Sequence, residues 1–317
     1  MFVCDILNEE IVRDKMKVYI DNDYLEFDQN KIDKLKQLGY EVKETPTPDL
    51  EVIVSSRRKL INHTDNFKNL KFIQLTSAGY DFLETQPVKE KGILLANAKG
   101  VYSEAIGEFV VARLLQVYQG LRHLDQSQKA HVWDRNIDLL SLKNLKGAIL
   151  GTGSIAKEVV KRLKAFGPNL DGYNTKGTHH QEFDACYPLD QFDQKSDQYD
   201  FIVITLPLNE VTQYYFDKAR LNALKKECVL VNIARGPIIK ESDLLEIMDT
   251  HLSAIVLDVF EQEPLDKKSP LWTHPKAYLS SHISFKNNFY KENIQSLIMD
   301  NLVKYIKQES LTNLVEL

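Results

Sequence analysis

The chain has 317 residues, 43% hydrophobic and 27% charged, the composition of an ordinary soluble protein long enough for two domains with sizeable cores. Forty Lys and Arg against 45 Asp and Glu leave a net charge of −5 and a pI near 5.9, which argues against nucleic acid as a principal partner. Three widely spaced cysteines, Cys4, Cys186 and Cys228, imply no disulfide framework, and no metal site is expected. No apolar segment reaches the ~18 residues that cross a bilayer and no signal-peptide pattern is present, so a cytoplasmic protein without membrane partners is expected.

Residues 1–15 have no clear period and read as an extension or arm. From Lys17 onward strands alternate with helices. Val18-Tyr19-Ile20, Tyr40-Glu41-Val42, Val52-Ile53-Val54, Phe72-Ile73-Gln74-Leu75 and Ile93-Leu94-Leu95 are short apolar strands, and Lys31 to Leu38 is a helix. This alternation implies a parallel sheet with crossover helices, whose ligands sit beyond the carboxyl ends of the strands. Two loops stand at such ends: Ser55-Ser56-Arg57-Arg58 and Ser77-Ala78-Gly79. Composition alone favours reading Arg57 and Arg58 as a solvated surface pair, and Ala78-Gly79 reads equally as a simple turn.

Asn97-Ala98-Lys99-Gly100 reads as a connection between domains, and a long helix begins near Ser103. Ala105, Ile106, Phe109, Val110, Leu114 and Leu121 form its apolar face, and Gly107 allows a close helix contact. A helix of this kind suits a dimer surface. Trp133, in the polar stretch that follows, fits that surface or a core position.

Ala148-Ile149-Leu150 then reads as a buried strand and runs directly into Gly151-Thr152-Gly153-Ser154-Ile155-Ala156, the G-x-G-x-x-[GA] dinucleotide fingerprint. Gly151 suits the tight turn, Gly153 lets the backbone approach a pyrophosphate, and Ala156 lets the helix lie close on the sheet. Ile155, Val159, Leu163 and Phe166 recur at helical spacing, so a helix N-terminus points its free N–H groups of Ser154 and Ile155 at the phosphates. A second strand, Leu170 to Tyr173, ends at Asn174, near the position that reads the ribose. Strand, glycine turn, helix and second strand fall in register, which makes a chance match unlikely to explain them.

Further strands follow at Phe201 to Leu206, ended by Pro207, at Val229 to Ile233, at Ala254 to Leu257 and at Ala277 to Ser280. Helices are read over Phe216 to Leu224 and Glu241 to Met248. Ile294, Leu297, Ile298, Leu302 and Ile306 mark a C-terminal helix that returns to the first domain. Behind the fingerprint, three strand ends carry Arg235, Glu263 and His282. Singly each reads as a surface or structural residue. Together they are the kit a nicotinamide enzyme needs for a 2-oxo acid: a cation for carboxylate and carbonyl, an acid near neutrality, and a carboxylate to keep that acid charged.

Leu206-Pro207-Leu208, Asn232-Ile233-Ala234-Arg235-Gly236, Leu257-Asp258-Val259-Phe260 with Glu263-Pro264, and Pro270-Leu271-Trp272 leading to His282 occur in the order of a known signature. The chain thereby resembles the D-isomer-specific 2-hydroxyacid dehydrogenases over nearly its whole length, most strongly from Leu145 to Ile283. The resemblance implies an α/β protein of two doubly wound parallel-sheet domains with an interdomain cleft. A flavodoxin-like substrate-binding domain takes residues 1–98 with 286–317, and a Rossmann cofactor domain takes 99–285. It implies that Arg235 binds substrate, His282 is the acid/base and Glu263 its partner. Ala78 and Gly79 then match the family's carboxylate-binding turn, with backbone N–H groups as donors, and Arg57 falls near a loop that faces the same cleft as a further substrate-binding residue. Gly151, Gly153, Ser154, Ile155, Leu206, Pro207 and Ile233 contact the cofactor, with Asp258 on the nicotinamide carboxamide. It also implies a homodimer.

Two departures stand out. Ser281 occupies the position of the family's usual Pro before the histidine, and Phe285 stands where small residues are usual, which bears on pocket size. Where NAD-preferring members carry an acidic residue, this chain has Asn174-Thr175-Lys176, so NADP is slightly favoured over NAD. The expected activity is hydride transfer between NAD(P) and a short 2-oxo or D-2-hydroxy acid such as glyoxylate or hydroxypyruvate. The alternatives are a 3-phosphoglycerate dehydrogenase, kept open by Arg57 and Arg58 and disfavoured by the absence of a regulatory domain after residue 317, and a non-catalytic NAD(H)-sensing protein.

Overall fold

The computed structural model describes residues 15–317, so the extension expected over 1–15 lies, but for Lys15, outside the described residues. The chain divides into two units. One ends at Ala98 and also takes Lys291–Leu317; the other is Lys99–Tyr290.

The first unit contains β1 (Met16–Ile20), α1 (Asn22–Leu25), α2 (Gln29–Gln37), β2 (Tyr40–Lys43), β3 (Val52–Val54), α3 (Arg58–Ile61), β4 (Phe72–Gln74), α4 (Thr85–Glu90) and β5 (Leu94–Ala96). All five strands are parallel, in the order β2-β1-β3-β4-β5, the flavodoxin-like order with its switch point between β1 and β3. Val52, Ile53, Val54, Phe72 and Ile73 are fully buried, as befits strands covered on both faces. Asp28 starts α2 by accepting the Lys31 N–H (2.9 Å), an ordinary N-cap. The last strand is one residue later than the Ile93 to Leu95 run suggests.

The second unit contains α5 (Ser103–Tyr118), α6 (Leu121–Ala130), β6 (Lys146–Leu150), α7 (Ser154–Leu163), β7 (Asn169–Asn174), β8 (Ala185–Pro188), β9 (Phe201–Ile204), α8 (Lys218–Ala223), β10 (Val229–Asn232), α9 (Glu241–Ile247), β11 (Ala254–Leu257) and β12 (Ala277–Leu279). Its seven parallel strands run β12-β11-β10-β9-β6-β7-β8, the doubly wound dinucleotide-binding order with a seventh strand added. The switch point falls between β6 and β9. Gly107 lets α5 settle on α7: a Cβ there would lie 3.0 Å from the Glu158 carbonyl oxygen.

The final helix, α10 (Tyr290–Ile306), buries Ile294, Ile298 and Leu302. The Tyr40 hydroxyl donates to the Leu302 carbonyl (2.7 Å) and Gln295 Nε2 to the Leu25 carbonyl (2.5 Å), so the helix packs on the first sheet's elements.

Three expectations are corrected. Leu121 does not continue the long helix, because Gly120 at φ +56° separates α5 from α6. Phe166 is 40% exposed, since α7 stops at Leu163 and the next turn carries the ring outward. Trp133 is no core residue: it is 91% exposed, and Val132, Leu139 and Leu140 of the same stretch are exposed too.

Candidate active site

The glycine turn follows β6 at the switch point. Gly151 has φ +99°, and a Cβ there would strike the Thr205 hydroxyl, whose oxygen is anchored on the Leu150 carbonyl (2.9 Å). Gly153 precedes α7, and a Cβ there would meet nothing within 4 Å. No protein atom requires the second glycine, so the open space in front of it and the unsatisfied first-turn N–H groups of α7 fit an anionic pyrophosphate. Ala156 is fully buried under the helix. Leu206 and Ile233 are nearly buried at the ends of β9 and β10, and Pro207 is exposed.

Arg235 follows β10, Glu263 follows β11 and His282 follows β12, so neighbouring parallel strands deliver all three to one end of the sheet. His282 Nδ1 lies 2.8 Å from Glu263 Oε2, and Glu263 Oε1 accepts the Phe260 N–H (3.1 Å). The Glu263 hydrogen bond raises the His282 pKa; burial opposes it, while the charges of Glu263 and Asp258 add to the rise and Arg235 works against it. Burial pushes the Glu263 pKa up, but the hydrogen bond and charge of His282, the Phe260 N–H and Arg235 outweigh it and the net shift is down. Both shifts favour the imidazolium–carboxylate form. The Arg235 loop is fixed by Asn232, whose amide accepts from Ala234 N–H (3.1 Å) and donates to the Arg235 carbonyl (2.9 Å).

Asp258 is 0% exposed and has no surface to offer a carboxamide in this structure. Its carboxylate accepts from the Ser280 hydroxyl (2.6 Å), Ile283 N–H (3.0 Å) and Ser284 N–H (3.0 Å), and its carbonyl accepts the His282 N–H (2.8 Å). These bonds hold the loop in which His282 adopts φ +52°. Ser281 therefore stands in for the usual Pro in a loop pinned on both sides by Asp258. Phe285 meets His282 edge-on (centroids 6.5 Å apart) and packs at similar angles on Tyr102 and Tyr290.

In the first unit, the Ser56 hydroxyl accepts from Thr76 N–H (2.9 Å) and Ser77 N–H (3.0 Å) and pairs with the Ser77 hydroxyl (3.0 Å). One serine thus ties the loop after β3 to the loop after β4. The Ala78 carbonyl accepts from Asn97 and the Gly79 carbonyl from the Ser77 hydroxyl. Among the described residues, the Ala78 and Gly79 N–H groups have no acceptor. Arg57 is exposed, as a surface residue would be, but it is ion-paired: its guanidinium is held by Asp21 (Nε to Oδ2, 2.7 Å) and by Asp23.

A family model for the NAD binding domain of D-isomer specific 2-hydroxyacid dehydrogenases matches residues 111–284, more than half of the chain, from the middle of α5 to the His282 loop. The chain belongs to that family. It is 28% identical over 254 residues to a glyoxylate reductase of Thermofilum pendens, covering 77% of this chain and 74% of that protein. It is 27% identical over 272 residues to a D-3-phosphoglycerate dehydrogenase of Methanocaldococcus jannaschii, but spans only 52% of that protein's length. A crystal structure of a family member from Aeromonas salmonicida superposes with a TM-score of 0.82 at 26% identity, covering 96% of this chain and 99% of that one. This 2-hydroxyacid dehydrogenase is therefore an NAD(P)-dependent oxidoreductase acting between 2-oxo and 2-hydroxy acids, and its second unit contains the nicotinamide nucleotide domain.

In the dehydrogenase Asn174 is occupied by its own loop. Its Oδ1 accepts from Lys176 N–H (3.2 Å) and Thr178 N–H (2.9 Å), and its Nδ2 donates to the Thr178 carbonyl (2.8 Å). Thr175 and Lys176 are the exposed residues of that turn. The sequence reading missed Asn232 and Asn97, which orient the site loops. Only the Asn-x-x-Arg spacing at 232–235 signals such a turn.

Proposed function

We propose that this dehydrogenase reduces a short, unphosphorylated 2-oxo acid, of the glyoxylate or hydroxypyruvate class, to the D-2-hydroxy acid. The observation that carries the reading is the 2.8 Å His282–Glu263 pair on strands adjacent to Arg235. Arg235 binds the substrate carboxylate and polarises the carbonyl, with the Ala78 and Gly79 N–H groups as further carboxylate donors. Glu263 occupies Nδ1, so His282 gives its proton to the carbonyl oxygen from Nε2 and ends neutral. The nicotinamide cofactor, when bound, supplies the hydride that C2 accepts. Gly151, Gly153, Ser154, Ile155, Leu206, Pro207 and Ile233 are its contact residues, and Asp258 acts through the His282 loop.

Arg57 argues against a phosphorylated substrate. Its charge is already met by Asp21 and Asp23, which leaves exposed Arg58 as the arginine of that loop for a phosphate dianion. Exposed Lys176 beside a turn without a carboxylate supports NADPH over NADH. The apolar residues Leu121, Leu124, Val132, Trp133, Leu139 and Leu140, all exposed, support a homodimer through the second unit. No helix among the described residues is long and apolar enough to cross a membrane, and the cytoplasm remains the proposed compartment.

Steady-state assays of the purified protein with glyoxylate, hydroxypyruvate and 3-phosphohydroxypyruvate, each with NADH and NADPH, test the reading. Turnover of the first two is expected. Faster turnover of the phosphorylated acid would overturn the substrate class, and none at all would favour a nucleotide-sensing role. Asn174→Asp keeps both N–H acceptor bonds of its turn and adds a charge, so it should move preference toward NADH by about 1–2 kcal/mol. A wild-type enzyme that already prefers NADH would remove the role of Lys176.

A further inference from the structure

Glu263 sits on an irregular segment, yet its carboxylate stays within one hydrogen bond of His282. The backbone on either side of Phe260 is the platform. Phe260 N–H fixes Glu263 Oε1 and so leaves Oε2 for the imidazole. Gly236, next to Arg235, lies directly against this platform, where a methyl group would overlap the Phe260 carbonyl carbon and the Glu261 nitrogen. Beyond it, Glu241 at the start of α9 and Glu261 exchange bonds: Glu241 N–H donates to Glu261 Oε1 (2.6 Å) and Glu261 N–H to Glu241 Oε1 (2.6 Å).

Two carboxylates so placed repel each other. Burial, and then the charge of Glu261, raise the Glu241 pKa, while the Glu261 N–H works to lower it. Charge-assisted acceptors hold an amide more firmly than neutral ones, which fits a loop that must not drift when ligands come and go. We infer that Glu241 and Glu261 are positioning residues whose reciprocal clamp, with Gly236 as its contact point, keys the Glu263 loop to the Arg235 loop and keeps Glu263 on His282 Nδ1. This inference rests on the roles given above to His282, Glu263 and Arg235.

The test reads the His282 pKa from its imidazole NMR signal, assigned by difference against His282→Gln, alongside kcat and the cofactor KM. The charged groups acting on His282 are Glu263, Asp258 and Arg235, so a loosened Glu263 loop lowers its pKa. Glu241→Ala should lower it by about half a unit or more and cut kcat about tenfold, with the cofactor KM unchanged. Glu241→Gln keeps the acceptor and should stay within about twofold of wild type. Glu261→Ala should match Glu241→Ala, and the double variant should be no worse than either single one, as for two halves of one contact. Glu241→Asp, one methylene too short to reach, carries the same expectation as alanine should the alanine variants fail to fold. A wild-type His282 pKa in Glu241→Ala, or a glutamine variant as impaired as alanine, would overturn the clamp. A shifted pKa in a protein that turns over no 2-oxo acid would uphold the clamp and remove the reductase reading instead.

Discussion

The strand-end loops of the two sheets offer different chemistry. After β3 and β4 of the first sheet the available groups are the Ala78 and Gly79 N–H donors, in a loop tied down by the Ser56 hydroxyl, and the Arg57 guanidinium is paired with aspartates. After β10, β11 and β12 of the second sheet they are side chains that titrate or carry charge, and their pKa values are moved by one another. Backbone donors cannot change protonation state, so the first set can grip a carboxylate identically at any pH. On the roles proposed above the second set has to hold and release a proton, so grip and proton supply are assigned to different sheets, and mutation can test that division.

The largest effect is expected from His282→Ala, which removes the proposed proton donor and should cost on the order of 10²–10⁴ in kcat with cofactor affinity retained. An enzyme keeping most of its activity would take His282 out of the mechanism. Arg235→Lys retains a charge but loses the planar fork, and should lower kcat/KM by roughly 10². Cofactor binding followed by fluorescence titration should stay near wild type; normal turnover would exclude a bidentate role.

Ser56→Ala attacks the other side of the comparison. It leaves the Thr76 and Ser77 N–H groups without their acceptor and should lower kcat/KM about tenfold, the weight of one or two hydrogen bonds. Its pH profile should not move, because nothing that titrates has been touched. A displaced profile would show that grip and proton supply are coupled after all. Glu263→Gln should do the reverse. The rate of reduction falls as pH rises through the His282 pKa, and losing the carboxylate should bring that limb to lower pH by about one unit, with KM little changed.

The smallest effect is on stability. The raised His282 pKa contributes stability that is full below its ordinary 6.5 and is lost as pH rises through the raised value. The lowered Glu263 pKa contributes stability that is full above its ordinary 4.5 and is lost as pH falls through the lowered value. The melting-temperature deficit of Glu263→Gln should therefore be greatest between about pH 4.5 and 6.5 and shrink on either side.

Most of this architecture is legible in the residues. Runs such as Val52 to Val54 and Phe201 to Ile204 are apolar at every position because their strands are covered on both faces, and that pattern needs no tertiary information. The strand β8 was not legible: Ala-Cys-Tyr-Pro at a sheet edge is only half-buried and carries no apolar run. Arg235, Glu263 and His282 could be picked out because each lies in the loop that follows an apolar strand. The ion pairing of Arg57 could not, since Asp21 and Asp23 lie 36 and 34 residues away from it in sequence. The turn that Asn174 makes within its own loop could not be read either, because the same residue pattern serves a side chain facing ribose.

The contact of Gly236 with the Phe260–Glu261 peptide sets a rule for anyone redesigning this enzyme. Two stretches remote in sequence, 232–241 and 258–264, share a surface with no room for even a methyl group. A library that varies one while freezing the other will fill mostly with broken members, and a transplant from a relative will succeed only when both stretches travel together. For recombination they are a single cassette.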